Sequence, residues 1–201
     1  MAAAGRPKYC HMAKGSIGVR QGQMVAAGAP IGRVGLSGDT EFPHLHVTVR
    51  QQGLAVDPFA PRAGPGCAPQ APLWTAQAMR AMAYKRGAAL NAGFAPGPVT
   101  PEQVEAGGLP AFGASSAALV AYVRTIGLEK GDVLELAIAG PDGAVLAQNR
   151  LAPLDRDKAQ YLMFIGKRRP ASGWAPGSYV ARYQVIRAGR AAVSRKFEVR
   201  L

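Results

Sequence analysis

Short apolar runs separated by turn residues dominate the C-terminal part of the chain. In the last run Val193, Phe197 and Val199 share one face of a strand, while Lys196 and Glu198 share the other. Turns at about ten-residue intervals separate such runs, which is typical of an immunoglobulin-like β-sandwich. The pattern predicts strands at residues 118–126, 133–139, 144–149, 159–165, 178–187 and 192–200.

The N-terminal part of the chain also consists of short apolar runs, but glycines interrupt them more often. Runs at 16–19, 31–35 and 44–50 lie between turn signals. Apolar runs this short, with Gly between them, predict a β-rich unit rather than a helical one.

The middle of the chain predicts a linker and two short helices. Residues 61–72 are rich in Pro, Gly and Ala, which is typical of a linker. A helix is expected over 75–84 with Thr75 as N-cap, and a second one at Pro101, where Thr100 and Gln103 fit a capping box. We therefore expect a mostly β protein in three parts, at residues 1–60, 61–113 and 114–201.

Composition and charge narrow the function classes. The 201 residues are 48% apolar, enough for a buried core, and only 18% are charged, which excludes a charge-driven disordered chain. The net charge of +12 favours an anionic polymer, nucleic acid or a membrane surface as partner, although arginines scattered for solubility explain it equally well. No nucleic-acid-binding motif is present, so nucleic acid is not the expected partner. The oligomeric state stays open.

Membrane and export signals are not apparent. The uncharged stretch at 106–123 contains several Gly residues and a Pro, so we expect no transmembrane helix. The start of the chain has no apolar segment typical of a signal peptide. The two cysteines, Cys10 and Cys67, are too few for a disulfide scaffold, and whether they pair with each other is open.

The three histidines of the chain are the candidate catalytic or metal-binding residues. His44 and His46 are two residues apart in the predicted strand 44–50, so they would share a face, and Leu45, Val47 and Val49 would pack on the other. Two imidazoles on a rigid face can act as metal ligand, general base or oxyanion donor. The spacing fits a solvent-exposed polar face equally well.

The order of motifs around these histidines resembles the lysostaphin-type (LytM-like) zinc endopeptidases. That family has a Tyr-x-His element, a Gly-Gln-x-Val-x-x-Gly hairpin, Ile-Gly, a Gly-x-[ST]-Gly loop, a His-Leu-His strand and a closing Asp-Pro. The corresponding segments here lie at 9–12, 22–28, 31–32, 35–38, 44–46 and 56–58. They cover about fifty residues, or a quarter of the chain.

The resemblance implies a fold, an activity and roles for the three histidines. It implies an antiparallel peptidase-type β unit at 1–60, partial in this chain, that cleaves peptide cross-links of bacterial peptidoglycan in the periplasm or cell envelope. His46 corresponds to a zinc ligand, and His11 and His44 correspond to the catalytic histidines beside the metal-bound water. In this family zinc lowers the pKa of that water and polarises the scissile carbonyl.

The chain departs from the family in its metal ligands. The family's other two ligands, a His and an Asp, lie upstream of the Tyr-x-His element, whereas the ten residues before His11 contain no His, Asp or Glu. Asp39 and Glu41 precede the His strand, but the family uses neither. We therefore expect an incomplete zinc site and a chain that lacks the front of a larger enzyme. The alternative is a non-catalytic wall-binding or regulatory homologue in which the C-terminal sandwich is the working part.

Overall fold

The computed structural model describes residues 5–40, 42–61 and 71–201. The chain is mostly β, with 44% of residues in strands and 6% in helices, and its sheets are antiparallel. It divides into two compact units, Met1–Tyr84 and Lys85–Leu201. The predicted mostly β class is confirmed.

The first unit contains one small sheet and one short helix. Strands β1 (Arg6–Cys10), β2 (His46–Gln51) and β3 (Leu54–Val56) pair in the order β1-β2-β3. Gln52 and Gly53 both have positive φ, which is the backbone geometry of a tight two-residue hairpin between β2 and β3. Helix α1 (Ala76–Ala81) begins at the predicted N-cap Thr75, whose side chain accepts a hydrogen bond from the amide of Ala78.

Two of the three short apolar runs in this β-rich unit do not form strands. Residues 16–19 form no strand, and within 31–35 only Val34 forms an isolated bridge, with Met12. Gly18, Gly32 and Gly35 interrupt these runs after one or two residues, so no continuous ladder forms. Two backbone hydrogen bonds, from Ala13 to Arg33 and from Gly18 to Ile31, nevertheless hold the two segments together.

The first unit buries little apolar surface. Among its described residues only Val49, on β2, is a buried hydrophobic side chain. Apolar side chains that would normally be covered are exposed, namely Ile17 (64%), Met24 (94%) and Leu54 (74%). The described part of this unit therefore has no hydrophobic core of its own.

The second unit contains all six predicted strands of the C-terminal region. Its elements are β4 (Ala88–Ala95), α2 (Pro101–Ala106), β5 (Ala118–Leu128), β6 (Val133–Ala139), β7 (Val145–Arg150), β8 (Lys158–Arg168), β9 (Ser178–Arg187) and β10 (Arg190–Arg200). Two sheets form, in the orders β10-β9-β6-β7 and β4-β5-β8, and helix α2 starts with the predicted capping box of Thr100 and Gln103.

Strand β4 is an element that the sequence pattern does not predict. It lies inside the segment 61–113 expected to be linker and helices, and it pairs with β5 along its length. The second compact unit starts at Lys85 and therefore includes β4. The domain limits drawn from the sequence differ from these units and stay a prediction.

Both sheets of the second unit contribute to one hydrophobic cluster. Leu134, Leu136 and Ile138 on β6 alternate with less buried residues, as the period of a strand requires, and the same holds on β9. The cluster also takes Leu119 and Val123 from β5 in the other sheet. A hydrogen bond of 2.8 Å from Thr125 to Tyr183 joins the two sheets inside it. The immunoglobulin-like connectivity stays a prediction.

Candidate active site

His11 lies where strand β1 ends. Cys10 is the last residue of β1 and pairs with His46, the first residue of β2. His11 follows with φ of +58°, an uncommon backbone conformation for a residue with a side chain. Its Nδ1 atom lies 2.7 Å from the carbonyl oxygen of Ser37. Because a carbonyl only accepts, we assign the ring proton to Nδ1, which leaves Nε2 as the basic atom.

Glycines of the Gly-x-Ser-Gly loop allow this close approach. The amide of Gly35 donates to the carbonyl of His11 at 2.8 Å. A Cβ at position 35 would lie 2.3 Å from the Cα of Ala13, so no other residue fits without moving the backbone. Gly38 has φ of +83° and stands against the His11 ring. These glycines therefore serve tight backbone packing.

His44 is held by its own loop. Its Nδ1 lies 2.9 Å from the carbonyl oxygen of Phe42 and 3.1 Å from the hydroxyl of Thr40. The Thr40 hydroxyl donates to the same carbonyl. The ring is half-buried, and its Nδ1 is again assigned the proton, so Nε2 is the basic atom.

His46 begins strand β2 and is exposed. Its Nε2 lies 3.3 Å from the hydroxyl of Thr48, two residues along the same face. Its Nδ1 is thereby the nitrogen left for a further partner. The prediction of one strand over 44–50 is wrong at its start, since β1 ends at Cys10 and offers no pairing partner before His46.

The predicted apolar face of this segment is only partly buried. Val49 is buried and Val47 half-buried, as expected for the inward face. Leu45 is 48% exposed, because it precedes the paired part of β2. Of the three apolar residues, Val47 and Val49 therefore anchor strand β2, on which His46 lies.

The three histidines converge. The ring centroid of His11 lies 4.7 Å from that of His44 and 5.6 Å from that of His46. A groove of about 560 Å³ opens beside His11 and is lined by Tyr9, Lys14 and Ile17 among others. His11 lines this groove, and His44 lies against His11. Two anchored imidazoles with basic Nε2 atoms can accept protons and, once protonated, donate them.

The described residues do not fit a zinc ion. No group of three or more His, Cys, Asp or Glu side chains within the described ranges is arranged to hold a metal. A catalytic zinc normally takes three protein ligands and a water. Asp39 forms no part of such a group, while Glu41 and Cys67 lie outside the described residues. His46 alone is therefore an incomplete donor set.

The anchors of the histidines are the functional residues that sequence reasoning missed. The carbonyls of Ser37 and Phe42 belong to the backbone, and no side-chain pattern marks them. Thr40, four residues before His44, is the one anchor that the sequence could have indicated. Ser and Thr hydroxyls often form hydrogen bonds to nearby groups in turns.

Comparison with known families agrees with the resemblance. Residues 5–58 match the family model described as Peptidase family M23, consistent with a partial domain of LytM type. By this resemblance the segment is of the peptidase and cell-wall hydrolase kind. The match does not extend into the second unit.

Two solved structures show weaker likeness. A provisionally assigned beta-galactosidase from Bacteroides fragilis has 14% identity and a TM-score of 0.31, covering 42% of this chain and 14% of that chain. A beta-glucuronidase from Bifidobacterium dentium, complexed with coumarin-3-O-glucuronide, has 13% identity and a TM-score of 0.35, covering 58% and 18%. The chain thus spans less than a fifth of either protein.

No helix among the described residues is long and apolar enough to cross a membrane.

Proposed function

We propose that residues 5–58 belong to a zinc-dependent endopeptidase that cleaves peptide cross-links of bacterial peptidoglycan in the periplasm or cell envelope. The observation that carries the proposal is the convergence of the His11, His44 and His46 rings, two of them anchored through Nδ1. The match to Peptidase family M23 over the same residues supports it.

Each histidine has a distinct role in this proposal. His46 is one metal ligand, and the remaining ligands come from residues other than those described. His11 and His44 are the catalytic residues, with their Nε2 atoms facing substrate. Peptide hydrolysis needs a base that takes a proton from the attacking water and an acid that gives one to the leaving amine. An imidazole whose Nδ1 proton is held by a carbonyl can take the water's proton at Nε2 and, as the imidazolium so formed, give that proton from Nε2 to the leaving amine. His11 and His44 each offer such an Nε2.

The exposed apolar side chains of the first unit support a site completed by further protein. Ile17, Met24 and Leu54 are each more than half exposed, and Val49 is the only buried hydrophobic residue in the described part of the unit. Additional protein surface that covers them would gain about 25 cal/mol for each Å² of apolar area buried. The same surface is the natural source of the missing ligands.

The test compares the 201-residue chain with a version extended upstream, in frame, to include a His and an Asp ligand. Zinc content per chain and clearing of purified peptidoglycan are measured for His11→Ala, His44→Ala and His46→Ala. Leu45→Ala is the matched control, since this side chain lies between the two histidines and is exposed. The control should keep both zinc and activity.

The expected outcomes separate the roles. His46→Ala loses zinc and activity together, whereas His11→Ala and His44→Ala keep zinc and lose at least about a hundredfold in rate. Loss of metal from His11→Ala or His44→Ala, with retention in His46→Ala, would show that the roles are misassigned. An extended chain that binds zinc and cuts no cross-link peptide would favour the non-catalytic wall-binding alternative.

A further inference from the structure

The outer face of the sheet β10-β9-β6-β7 carries a groove of about 790 Å³ that is lined largely by polar and charged residues. Inward-facing residues of β6 and β9 are buried in the core, so the residues between them point away from it. The strand registers place these outward residues in two adjacent rows across the four strands. The rows are Arg150, Glu135, Gln184 and Ser194, and Gln148, Ala137, Arg182 and Lys196.

The first row satisfies its own charges. Glu135 forms an ion pair with Arg150 on one side and accepts a hydrogen bond from Gln184 on the other. The carboxylate is therefore shared between its two neighbours in the row. This row needs no external counter-charge.

The second row leaves two cations side by side. Arg182 on β9 is directly opposite Lys196 on β10, and both side chains are exposed. Directly opposite residues on antiparallel strands have Cβ atoms about 4.5–5.5 Å apart, and like charges there are destabilising. Neither cation forms an ion pair with any residue of the described ranges. On the other side of Arg182 lies Ala137, whose small side chain leaves space in the groove.

The acidic residues of this face are engaged elsewhere. Glu135 is held by Arg150 and Gln184, as described above. Glu198 lies two residues beyond Lys196 and accepts a hydrogen bond of 3.3 Å from Ser178. An external anion between Arg182 and Lys196 would remove the repulsion that the fold itself leaves uncompensated.

We propose that Arg182 and Lys196 form a binding site for a free carboxylate on the peptide stems of peptidoglycan, which retains the chain on its substrate. The identity of this ligand rests on the proposed function of residues 5–58. The arginine fork binds a carboxylate through two parallel hydrogen bonds, and the lysine supplies a second positive charge. A groove of this volume is within the range that accommodates a ligand of several hundred daltons, such as a short peptide.

The experiment measures co-sedimentation of the full 201-residue chain with purified peptidoglycan sacculi at low and high salt. The test variant is Arg182→Gln with Lys196→Gln. The matched control is Lys167→Gln with Arg168→Gln, which removes the same charge from exposed positions on β8 in the other sheet. Sacculi whose carboxylates have been converted to amides are the second arm.

The test variant should bind native sacculi at least about tenfold more weakly, and the control should bind within about twofold of the unmodified chain. Amidated sacculi should bind the unmodified chain and the test variant equally weakly. The unfolding temperature of the test variant should equal or exceed that of the unmodified chain, since a repulsive pair has been removed. A normal unfolding temperature shows that weak binding does not come from misfolding.

Three results of the sacculus experiment would overturn the proposal. They are equal binding by the test variant and the unmodified chain, equal loss in the control variant, or undiminished binding to amidated sacculi. Binding of double-stranded DNA through the same two residues without binding of sacculi would also overturn it, in favour of a phosphate ligand. Sedimentation does not require cleavage, so a chain that binds through Arg182 and Lys196 but never hydrolyses the wall refutes only the proposed function.

Discussion

The Nδ1 atom of His11 lies 2.7 Å from the carbonyl oxygen of Ser37, a residue 26 positions further along the chain. The His11 carbonyl in turn accepts a hydrogen bond from Gly35 in the same loop. The ring and the backbone of His11 are therefore both fixed by residues 35–38. This loop sets the direction of the imidazole as directly as strand β1 does.

Gly35→Ala should displace His11. The new Cβ would lie 2.3 Å from the Cα of Ala13, so the two segments must separate and the hydrogen bond from residue 35 to His11 must lengthen. Overpacking of this kind costs about 1–3 kcal/mol of stability. The measurement is the NMR spectrum of isotope-labelled histidine rings, in which the His11 signals should shift. Gly18→Ala is the control, because its Cβ meets nothing within 4 Å. An unchanged His11 spectrum in Gly35→Ala would contradict this account.

The 201-residue chain by itself should bind zinc weakly. His46 is the one residue that corresponds to a family ligand, and the described residues form no metal-binding group. Calorimetric titration should show no stoichiometric site tighter than about 1 μM, which corresponds to about 8 kcal/mol of binding free energy. Adding a chelator should leave the unfolding temperature unchanged. A nanomolar site that disappears on replacing His46 together with Asp39 would refute this prediction.

The strands of the second unit were predictable where apolar and polar residues alternate with a period of two. Strands β6 and β9 have the predicted bounds, since buried and less buried residues alternate along them without interruption. Strand β4 was missed because its sequence is mostly Ala and Gly, residues with little preference for strands. Its pairing depends on β5 and on the packing of Phe94 against Phe197 from β10. Such long-range contacts are not visible in a local pattern.

The candidate site was predictable in its residues but not in its geometry. The motif order points to His11, His44 and His46, and their rings do converge. Strand β1 was not predicted, because Pro7 interrupts it and no alternation marks it, although a proline is tolerated in an edge strand. The position of His44 outside the strand follows from where β1 ends, a property of the pairing partner rather than of the His-Leu-His segment itself.

Asp132→Asn should destabilise the second unit strongly. The Asp132 carboxylate is fully buried and receives two hydrogen bonds from Arg187, at 2.8 and 2.7 Å, and one from the amide of Glu129. Removing one partner of a buried ion pair typically costs about 3–5 kcal/mol. Glu129→Gln is the control, since Glu129 is more than a third exposed and its ion pairs with Arg86 and Arg187 are worth about 1 kcal/mol or less. Urea unfolding of both variants measures the difference, and equal stability loss would contradict the assignment.

The contribution of Asp132 to the stability of the second unit should also depend on pH. Burial raises the pKa of Asp132. Hydrogen bonds from Arg187 and the Glu129 amide, together with the charges of Arg187 and Arg86, lower the pKa by more than burial raises it, so the pKa of Asp132 lies below its usual value. Stabilisation by a carboxylate with a lowered pKa is complete above the unfolded value of about 4 and is lost as the pH falls through the folded pKa. The stability difference between the unmodified chain and Asp132→Asn should therefore shrink below about pH 4. A difference that stays constant down to pH 2 would refute the ionised state of Asp132.

Tyr183→Phe should destabilise the core through the group that it leaves behind. The Thr125 hydroxyl donates to the Tyr183 oxygen at 2.8 Å, and Thr125 is fully buried. An unpaired buried hydroxyl costs about 1–3 kcal/mol. The double variant Tyr183→Phe with Thr125→Val removes both partners and should recover much of the loss. If the double variant is as unstable as the sum of the two single variants, the hydrogen bond is not the cause.

The same pair predicts sensitivity to alkali. Burial raises the pKa of Tyr183 to about 12, against a lowering effect of the Thr125 hydrogen bond. A group whose pKa is raised on folding stabilises fully below its unfolded value, about 10 for tyrosine, and this stabilisation is lost as the pH rises through the folded value. The unmodified chain should therefore lose stability between about pH 10 and 12, and Tyr183→Phe should lose less over that interval. Urea unfolding across this pH range measures the difference, and parallel curves for the two proteins would show that Tyr183 is not the titrating group.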